Sequence, residues 1–274
     1  MFENKTITVF GGTGSIGSLI VESLRQYNPH SIRVFSNDEN SLWECQQKWG
    51  NGNIRYLLGD IRDFRRVQRA LRDVDYVINS AAIKHVPFAE YNPMEAVDVN
   101  IHGLENIIEA CFIYGIEKLL HISTDKAVEP SCVMGMTKGI GECLCQIRDN
   151  NKGRAKTIIS CVRLGNVWGS RGSVIPLIQK RKSLGLPFEI TDKRMERYFI
   201  KPNDLQKFIF KVFKMMKGGE IFVPKMDSYK IVDLIKDMEI KEVGIRKGEK
   251  LKESLLTESE LANATELEDM WVIG

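Results

Sequence analysis

The chain of 274 residues is 43% hydrophobic and 27% charged, values that are ordinary for a globular protein. Its formal net charge of only +3 gives no support to a protein that binds nucleic acid through a general basic field. No apolar run approaches the roughly 20 residues that span a bilayer, and the first strand pattern follows without a signal peptide. We therefore expect a cytoplasmic protein, with no membrane span and no nucleic-acid partner.

Short β-rich runs alternate with helical patterns through the first 165 residues. This alternation is typical of βαβ units, whose right-handed crossovers build a parallel sheet covered by helices on both faces. The predicted fold class is therefore α/β, with a doubly wound parallel sheet of the Rossmann type. The predicted strands cover residues 7–10, 32–35, 54–58, 76–79, 118–122 and 157–162, and the predicted helices cover residues 15–27, 41–49, 64–71, 93–114 and 133–148.

The alternation weakens after residue 166, where charge becomes uneven along the chain. Basic residues concentrate between residues 171 and 201, and the end of the chain is acidic. We expect a dinucleotide-binding domain over residues 1–167. Residues 168–274 should mainly form a small substrate-binding lobe, interlaced with that domain. The six cysteines form no C-x-x-C pair and the four histidines no H-x-x-x-H spacing, which predicts reduced thiols and no metal site.

Three glycines follow the first predicted strand and open the first helix. Gly11, Gly14 and Gly17 form the pattern G-x-x-G-x-x-G. The first glycine permits a tight turn, the second lets a pyrophosphate approach the backbone, and the third lets helix and strand pack closely. The pattern predicts a dinucleotide site, and its spacing resembles that of the short-chain dehydrogenase/reductase superfamily. The further predicted contacts in this loop are Thr13, Ser15 and Ile16.

Two other segments fit the same resemblance, and a third, at the end of the second strand, is less decisive. The stretch after the third strand resembles the one that contacts adenine, and the stretch after the fourth resembles the one that passes under the cofactor ribose. The end of the second strand lacks both the carboxylate typical of NAD-preferring members and the arginine that receives the extra phosphate of NADP, so both cofactors stay open. The cofactor-binding residues predicted here are Ser36, Asn37, Asp60, Ile61, Ala81, Ala82, Lys84 and the helical Asn100, which resembles the superfamily's structural asparagine.

The fifth predicted strand ends at Thr124, which is followed by the acid and amine of Asp125 and Lys126. In the superfamily's usual pattern, Ser or Thr precedes Tyr-x-x-x-Lys, where the tyrosine is the base and the lysine lowers its pKa. Lys138 stands at the lysine position and is also a predicted cofactor contact. Met134 stands at the tyrosine position and cannot titrate. An acid and an amine at the carboxyl end of a strand, beside the cofactor, can supply the missing chemistry.

The string from Ser123 to Lys138 closely resembles UDP-N-acetylglucosamine 4,6-dehydratases of the polysaccharide-biosynthesis branch, in which a subgroup has methionine in place of the tyrosine. Matching segments follow in order at residues 82–93, 162–174, 197–199, 219–224 and 244–250. Because the chain begins at the dinucleotide strand, we expect it to lie outside the subgroup with membrane-spanning N-terminal extensions. Its tail resembles the soluble, 5-epimerising subgroup, which leaves the configuration at carbon 5 open.

The resemblance implies a redox-neutral elimination on a UDP-sugar with a tightly held NAD or NADP. Hydride leaves carbon 4, water is lost across carbons 5 and 6, and hydride returns to carbon 6. The resemblance assigns Lys126 as the base at carbon 5, Asp125 as the acid for the leaving hydroxyl, and Thr124 as a hydrogen-bond partner of the carbon 4 oxygen. Lys126 then needs a lowered pKa, which we expect from burial and from Lys138. Asp125 is the candidate base for the carbon 4 hydroxyl.

The substrate is expected to meet the small lobe. A guanidinium fork suits the geometry of a diphosphate, so Arg197 and Arg246 are the candidates for that group. The resemblance to the family implies that Glu249 holds a ribose hydroxyl. The predicted substrate-binding residues are His85, Asn166, Arg171, Val174, Arg197, Arg246 and Glu249. We also expect a homo-oligomer that forms through the two long helices after the fourth and fifth strands.

Two other functions stay open. A UDP-sugar 4-epimerase shares the fold and the first hydride transfer, but it needs no acid or base at carbons 5 and 6. A nucleotide-sugar-binding scaffold is consistent with the missing tyrosine, but the retained Asp125, Lys126 and Lys138 argue against it.

Overall fold

A nine-stranded sheet forms the centre of the computed structural model, which describes all 274 residues. The strands are β1 (Thr6–Phe10), β2 (Ser31–Ser36), β3 (Ile54–Leu58), β4 (Tyr76–Asn79), β5 (Lys118–Thr124), β6 (Ile158–Leu164), β7 (Asn166–Val167), β8 (Phe188–Ile190), β9 (Glu196–Ile200), β10 (Ile221–Pro224), β11 (Asp227–Lys230), β12 (Ile240–Glu242), β13 (Thr265–Glu266) and β14 (Met270–Ile273). The helices are α1 (Ser15–Leu24), α2 (Glu39–Trp49), α3 (Phe64–Leu71), α4 (Val86–Tyr91), α5 (Pro93–Val97), α6 (Gly103–Tyr114), α7 (Val133–Asn150), α8 (Val174–Ser183), α9 (Pro202–Met215) and α10 (Glu258–Asn263). None of them has both the length and the apolar content that a membrane crossing requires.

The first six strands are parallel and follow the order β6-β5-β4-β1-β2-β3 across the sheet. Val9 of β1 lies opposite Val34 of β2 on one side and opposite Ile78 of β4 on the other. The chain therefore changes direction across the sheet at β1, and ligands of such sheets bind outside the strand ends at this switch point. The predicted doubly wound α/β fold is confirmed.

Apolar cores cover both faces of this sheet. All residues of β1 are buried, as expected for a central parallel strand with helices on either side. One core joins the sheet to α1, α2 and α9, and the other joins it to α3, α6 and α7. Two helices have an aspartate as their N-cap. The carboxylate of Asp38 accepts a hydrogen bond from N of Ser41 at the start of α2, and that of Asp63 accepts one from N of Arg66 at the start of α3.

The predicted continuous helix over residues 93–114 is wrong at its centre. A π-helical turn over Asp98–His102 separates α5 from α6. Asn100 lies in this turn and accepts a hydrogen bond from N of Ile83 at 2.8 Å, while it donates to O of Ile83 at 3.0 Å and to Oγ1 of Thr137 at 2.9 Å. These bonds tie the loop after β4 to α7.

The remaining strands divide between the main sheet and two smaller sheets. Strands β10, β14 and β13 extend the main sheet beyond β6, and α9 packs on one of its faces. Strands β7, β9 and β11 form a three-stranded sheet, and β8 pairs with β12. Together with α8 they enclose a third apolar core, which is the core of the small lobe. The chain thus leaves the main sheet after β6, returns for α9 and β10, and returns again for β13 and β14.

Arg163 on β6 fastens the C-terminal segment to the main sheet. Its side chain is buried, and its Nη2 lies 2.7 Å from Oε2 of Glu142 on α7 and 2.8 Å from Oε1 of Glu260 on α10. Its Nη1 donates a hydrogen bond to O of Leu255 at 2.9 Å. One buried guanidinium therefore joins β6, α7 and the segment that precedes and forms α10.

Candidate active site

One cavity runs along the carboxyl ends of the parallel strands β1 to β5 and continues to the start of the small lobe. Its volume of about 990 Å³ is at the upper end of the range for small-molecule sites. Twenty of the predicted site residues line it: Gly11, Thr13, Gly14, Ser15, Ile16, Gly17, Ser36, Asn37, Asp60, Ile61, Ala81, Ala82, Lys84, His85, Thr124, Lys126, Met134, Lys138, Asn166 and Arg171. The fold thus brings together residues from sequence positions 11 to 171.

Two glycines of the glycine loop, Gly11 and Gly17, have no room for a side chain. A Cβ atom on Gly11 would lie 2.6 Å from N of Ala81, and one on Gly17 would lie 2.2 Å from O of Gly11. Gly11 also has a φ of +68°, which favours glycine. Gly14 is the N-cap of α1 and makes no side-chain cap. The first amides of α1 are therefore available to an anion such as a phosphate.

The loop after β7 lies against the glycine loop, residues 11–17. N of Arg171 donates a hydrogen bond to Oγ of Ser15 at 2.9 Å, and its guanidinium donates to O of Thr13. Lys84 donates through Nζ to O of Arg171 at 2.7 Å. The predicted role of Arg171 is substrate binding, but in the structure its guanidinium bonds the glycine loop at O of Thr13.

The far wall of the cavity is formed by the ends of β2 and β3. Oγ1 of Thr13 donates a hydrogen bond to Oγ of Ser36 at 2.9 Å. Asp60 pairs with Arg62 at 2.7 Å, and the Arg62 guanidinium lowers the pKa of the Asp60 carboxyl. Arg62 and Asp38 also line this wall. Neither residue was among the predicted site residues, although Asp38 follows Asn37 and Arg62 follows Ile61, which were.

Two carboxylates flank one amine at the end of β5. Nζ of Lys126 lies 3.0 Å from Oδ1 of Asp125 and 3.5 Å from Oε1 of Glu253, and Oγ1 of Thr124 donates to Oδ1 of Asp125 at 2.9 Å. Asp125 and Glu253 are buried, and Oδ2 of Asp125 and Oε2 of Glu253 have no hydrogen-bond partner. Lys126 lines the cavity, whereas Asp125 lies directly behind it. Glu253 was not among the predicted site residues, because nothing in its local sequence indicates contact with a residue 127 positions earlier.

The expected lowering of the Lys126 pKa is wrong. Burial does lower the pKa of Lys126, but the carboxylates of Asp125 and Glu253 together outweigh burial, and the net shift is upward. The amine is therefore held as an ammonium ion between two carboxylates.

Lys138 is the lysine whose pKa is lowered. Its side chain is buried on α7, and Nζ lies 3.1 Å from Nε2 of His121 and donates to O of Ile122 at 2.5 Å. Burial lowers the pKa of Lys138 to about 8. Oδ1 of Asn79 accepts from N of Ala81, so its Nδ2 donates to Nδ1 of His121, at 3.1 Å. The ring proton of His121 is then on Nε2, where it favours a neutral amine.

Several predicted residues lie outside the cavity. Asn100 is buried beneath it and acts through Ile83 and Thr137. Arg197 donates to the carbonyl oxygens of Lys250 and Leu251, both at 2.9 Å, so its guanidinium is already occupied. The other predicted residues that do not line the cavity are Val174 at the start of α8, the exposed Arg246, and Glu249, which accepts a hydrogen bond from N of Arg246 at 3.3 Å.

The two remaining predicted sugar contacts are at the lobe end of the cavity. The ring of His85 packs against Gly172, where a Cβ atom would lie 2.5 Å from Cε1 of the ring. Nδ2 of Asn166 donates to O of Tyr198 at 3.2 Å. Further lining residues at this end, which the sequence analysis did not identify as site residues, are Leu164, Gly165, Val167, Ser170, Gly172 and Ser173.

Known proteins resemble the chain over its full length. It is 43% identical over 280 residues to UDP-N-acetylglucosamine 4,6-dehydratase (inverting) of Campylobacter jejuni, covering 100% of this chain and 84% of the relative. It is 44% identical to an uncharacterized membrane protein of Methanocaldococcus jannaschii, covering 99% and 86%. It is also 35% identical to UDP-glucose 4-epimerase of Rickettsia canadensis, covering 100% and 84%.

The solved structure of Pen from Bacillus thuringiensis has a TM-score of 0.97 to this chain at 38% identity, covering 99% of this chain and 90% of Pen. The family model described as polysaccharide biosynthesis protein matches residues 7–274. That match includes the phosphate loop, the Asp125–Lys126 pair and the segment that carries Glu253. The chain belongs to this polysaccharide biosynthesis protein family.

Proposed function

We propose that the chain dehydrates a UDP-N-acetylhexosamine, UDP-N-acetylglucosamine in the first instance, to the 4-keto-6-deoxy sugar nucleotide for surface glycan synthesis. The observation that carries this proposal is the contact of 3.0 Å between Nζ of Lys126 and Oδ1 of Asp125 at the end of β5, at the cavity wall. Removal of a proton from carbon 5 and of a hydroxyl from carbon 6 requires an acid and a base side by side. The 43% identical relative named as such a dehydratase supports the same reaction.

A nicotinamide dinucleotide fits the glycine-loop end of the cavity. A Cβ atom on Gly11 or Gly17 would collide with the backbone of Ala81 or of Gly11, so only glycine allows this tight turn between β1 and α1, and the uncapped first amides of α1 suit a pyrophosphate. This loop, Asp60 and Lys138 would hold the cofactor, which accepts a hydride from the substrate and returns it when bound. Near the end of β2, the wall carries both the Asp38 carboxylate, which would repel a 2′-phosphate, and the Arg62 guanidinium, which would attract one. We therefore propose NAD or NADP as the cofactor, and titration with each measures the preference.

The roles of Asp125 and Lys126 follow from one proton that the two residues share. A carboxylate and an ammonium ion 3.0 Å apart become a carboxylic acid and a free amine when that proton moves between them. Exclusion of water by the bound substrate favours this neutral form. Lys126 then takes the proton of carbon 5, and Asp125 gives its proton to the hydroxyl that leaves carbon 6 as water. The elimination thus restores the ion pair.

The assignments of Thr124, His85 and Asn166 follow from their place in the cavity lining, whereas the choice of diphosphate ligand follows from which guanidinium is unoccupied. We assign Thr124 to the carbon 4 oxygen, and His85 and Asn166 to the sugar. For the diphosphate we favour Arg246, whose exposed side chain is free to turn, over Arg197, whose guanidinium is occupied by backbone carbonyls.

Proton NMR of the purified protein incubated with UDP-N-acetylglucosamine tests the proposed reaction. A 6-methyl signal is expected. UDP-N-acetylgalactosamine alone would instead indicate a 4-epimerase, the second candidate, which the name of the Rickettsia relative supports. Cofactor binding without any product would favour a scaffold. The same reaction in deuterated water reports the configuration at carbon 5. We expect inversion at carbon 5, because the name of the Campylobacter relative includes the word inverting.

We also propose that two copies of the chain associate through α6 and α7. Ile113 on α6 is 56% exposed, and Met136, Ile140 and Ile147 on α7 are 49%, 46% and 57% exposed. The residues on α7 recur at helical spacing and form an apolar stripe that a second copy would cover. Size-exclusion chromatography with light scattering is expected to give a dimer for the wild type and a monomer for Ile140→Glu. A wild-type monomer would refute the interface.

We place the protein in the cytoplasm. All six cysteines are unpaired, which suits a reducing compartment.

A further inference from the structure

Glu253 has no charged partner other than Lys126. It lies on the segment between β12 and α10, its side chain is buried, and its Oε1 is 3.5 Å from Nζ of Lys126. Its Oε2 is buried without a hydrogen-bond partner. A buried carboxylate with one oxygen that lacks a hydrogen-bond partner lowers the free energy of unfolding. The presence of Glu253 at this position therefore requires an explanation.

Anchoring of the segment does not supply that reason. O of Leu251 accepts a hydrogen bond from Arg197 at 2.9 Å, O of Leu255 accepts one from Arg163 at 2.9 Å, and Lys252 pairs with Glu196 at 3.4 Å. The segment is therefore held on both sides of Glu253 by other contacts. Lys126 does not need Glu253 as a counter-ion either, because Asp125 already neutralises it at the shorter distance of 3.0 Å.

The surplus carboxylate changes the charge of the catalytic pair. Asp125 and Glu253 together carry two negative charges against the one positive charge of Lys126. The other charged group that faces this amine is Arg197 on β9, which acts in the opposite direction from the carboxylates. An opposite charge within about 4–6 Å stabilises an ammonium ion by the equivalent of about 1–3 pH units.

We propose that Glu253 is a positioning residue for the Asp125–Lys126 pair: it fixes the Lys126 amine at the cavity wall and keeps one proton on the pair into the alkaline range. The inference rests on the proposed function, in which that proton is the one Asp125 gives to the departing hydroxyl. Without it no proton is available to convert the leaving hydroxyl into water. Glu253 thereby sets the upper pH limit of the elimination.

The test compares the pH profile of 6-methyl product formation in the wild type, Glu253→Gln and Glu258→Gln. Glutamine keeps the shape of the side chain but removes its charge, so the alkaline limb of kcat is expected to move about 1–3 pH units toward neutral. Glu258 is exposed on α10 and makes no ion pair, so its variant is expected to follow the wild type. A second measurement follows the Lys126 side chain directly, by pH titration of its ¹³Cε chemical shift without substrate.

The two measurements separate the inference from the reaction on which it rests. A fall of the Lys126 pKa in Glu253→Gln supports the charge role even if the wild type forms no 4-keto-6-deoxy product, in which case the proposed function fails alone. An alkaline limb and a Lys126 titration that both match the wild type would overturn the role of Glu253. A loss of activity with both titrations unchanged would likewise show that Glu253 is only structural.

Discussion

Replacement of Lys138 by methionine is expected to stabilise the protein at neutral pH while it impairs catalysis. The side chain is buried, and burial lowers the pKa of Lys138 from 10.5 to about 8. One pKa unit corresponds to about 1.4 kcal/mol, so the charged form of Lys138 lowers the free energy of unfolding by about 3 kcal/mol. Because the pKa is lower in the folded state, this penalty is absent above about pH 10.5 and complete below about pH 8.

The prediction is tested by urea unfolding at pH 7 and pH 10. Lost hydrogen bonds to His121 and Ile122 affect Lys138→Met at both pH values, so the informative quantity is the change with pH. Relative to the wild type, the free energy of unfolding of Lys138→Met should be about 2–3 kcal/mol higher at pH 7 than the same difference at pH 10. The exposed Lys241→Met is the control and should show no such change. An equal difference at both pH values would refute the reasoning.

Three further predictions concern the glycine loop, Lys126 and the buried Arg163. In Gly17→Ala the added methyl would lie 2.2 Å from O of Gly11, so the loop must move by about 1 Å; kcat/KM should fall about 100-fold, while Gly52→Ala, with open space at its Cβ, should behave as wild type. Lys126→Ala should abolish the 6-methyl NMR signal with cofactor still bound in a fluorescence titration, and appreciable residual dehydration would exclude Lys126 as the base. Arg163→Leu leaves the buried Glu142 without its partner and should lower the free energy of unfolding by about 3–5 kcal/mol in urea titrations; a loss below about 1 kcal/mol would contradict a structural role for the cluster.

The parts of the fold and site that are local in sequence could be predicted. The strands are short apolar runs, and the glycines at 11, 14 and 17 must lie together because only a few residues separate them. Asp125 and Lys126 are neighbours in the chain, so their contact requires no knowledge of the tertiary structure. These features were enough to predict where the cavity lies and that Asp125 and Lys126 are in contact, as the structure shows.

The parts that depend on distant residues could not be predicted. Asp125 and Glu253 together raise the pKa of Lys126, and Glu253 reaches the pair only through the path of the small lobe. Arg197 has the side chain of a diphosphate ligand, but the carbonyls of residues 250 and 251 occupy it. The π turn at Asp98–His102 breaks no apolar periodicity, and the side chain of Asn100 within it bonds the backbone of Ile83 in another segment.

The return of the chain to the main sheet has a consequence for folding during synthesis. Phe2 packs against Phe210 and Phe213 of α9, with ring centroids 5.2 Å and 5.3 Å apart, and Met270 of β14 lies in the same core. While the ribosome is still making the small lobe, β6 is therefore an unpaired edge and the face beneath Phe2 lacks its cover. Domains generally fold as units during synthesis, and this sheet is complete only after β10, β13 and β14 have been made. From the synthesis of β6 until β10 has emerged, the nascent chain exposes an apolar edge, and we expect it to depend on chaperones at that stage.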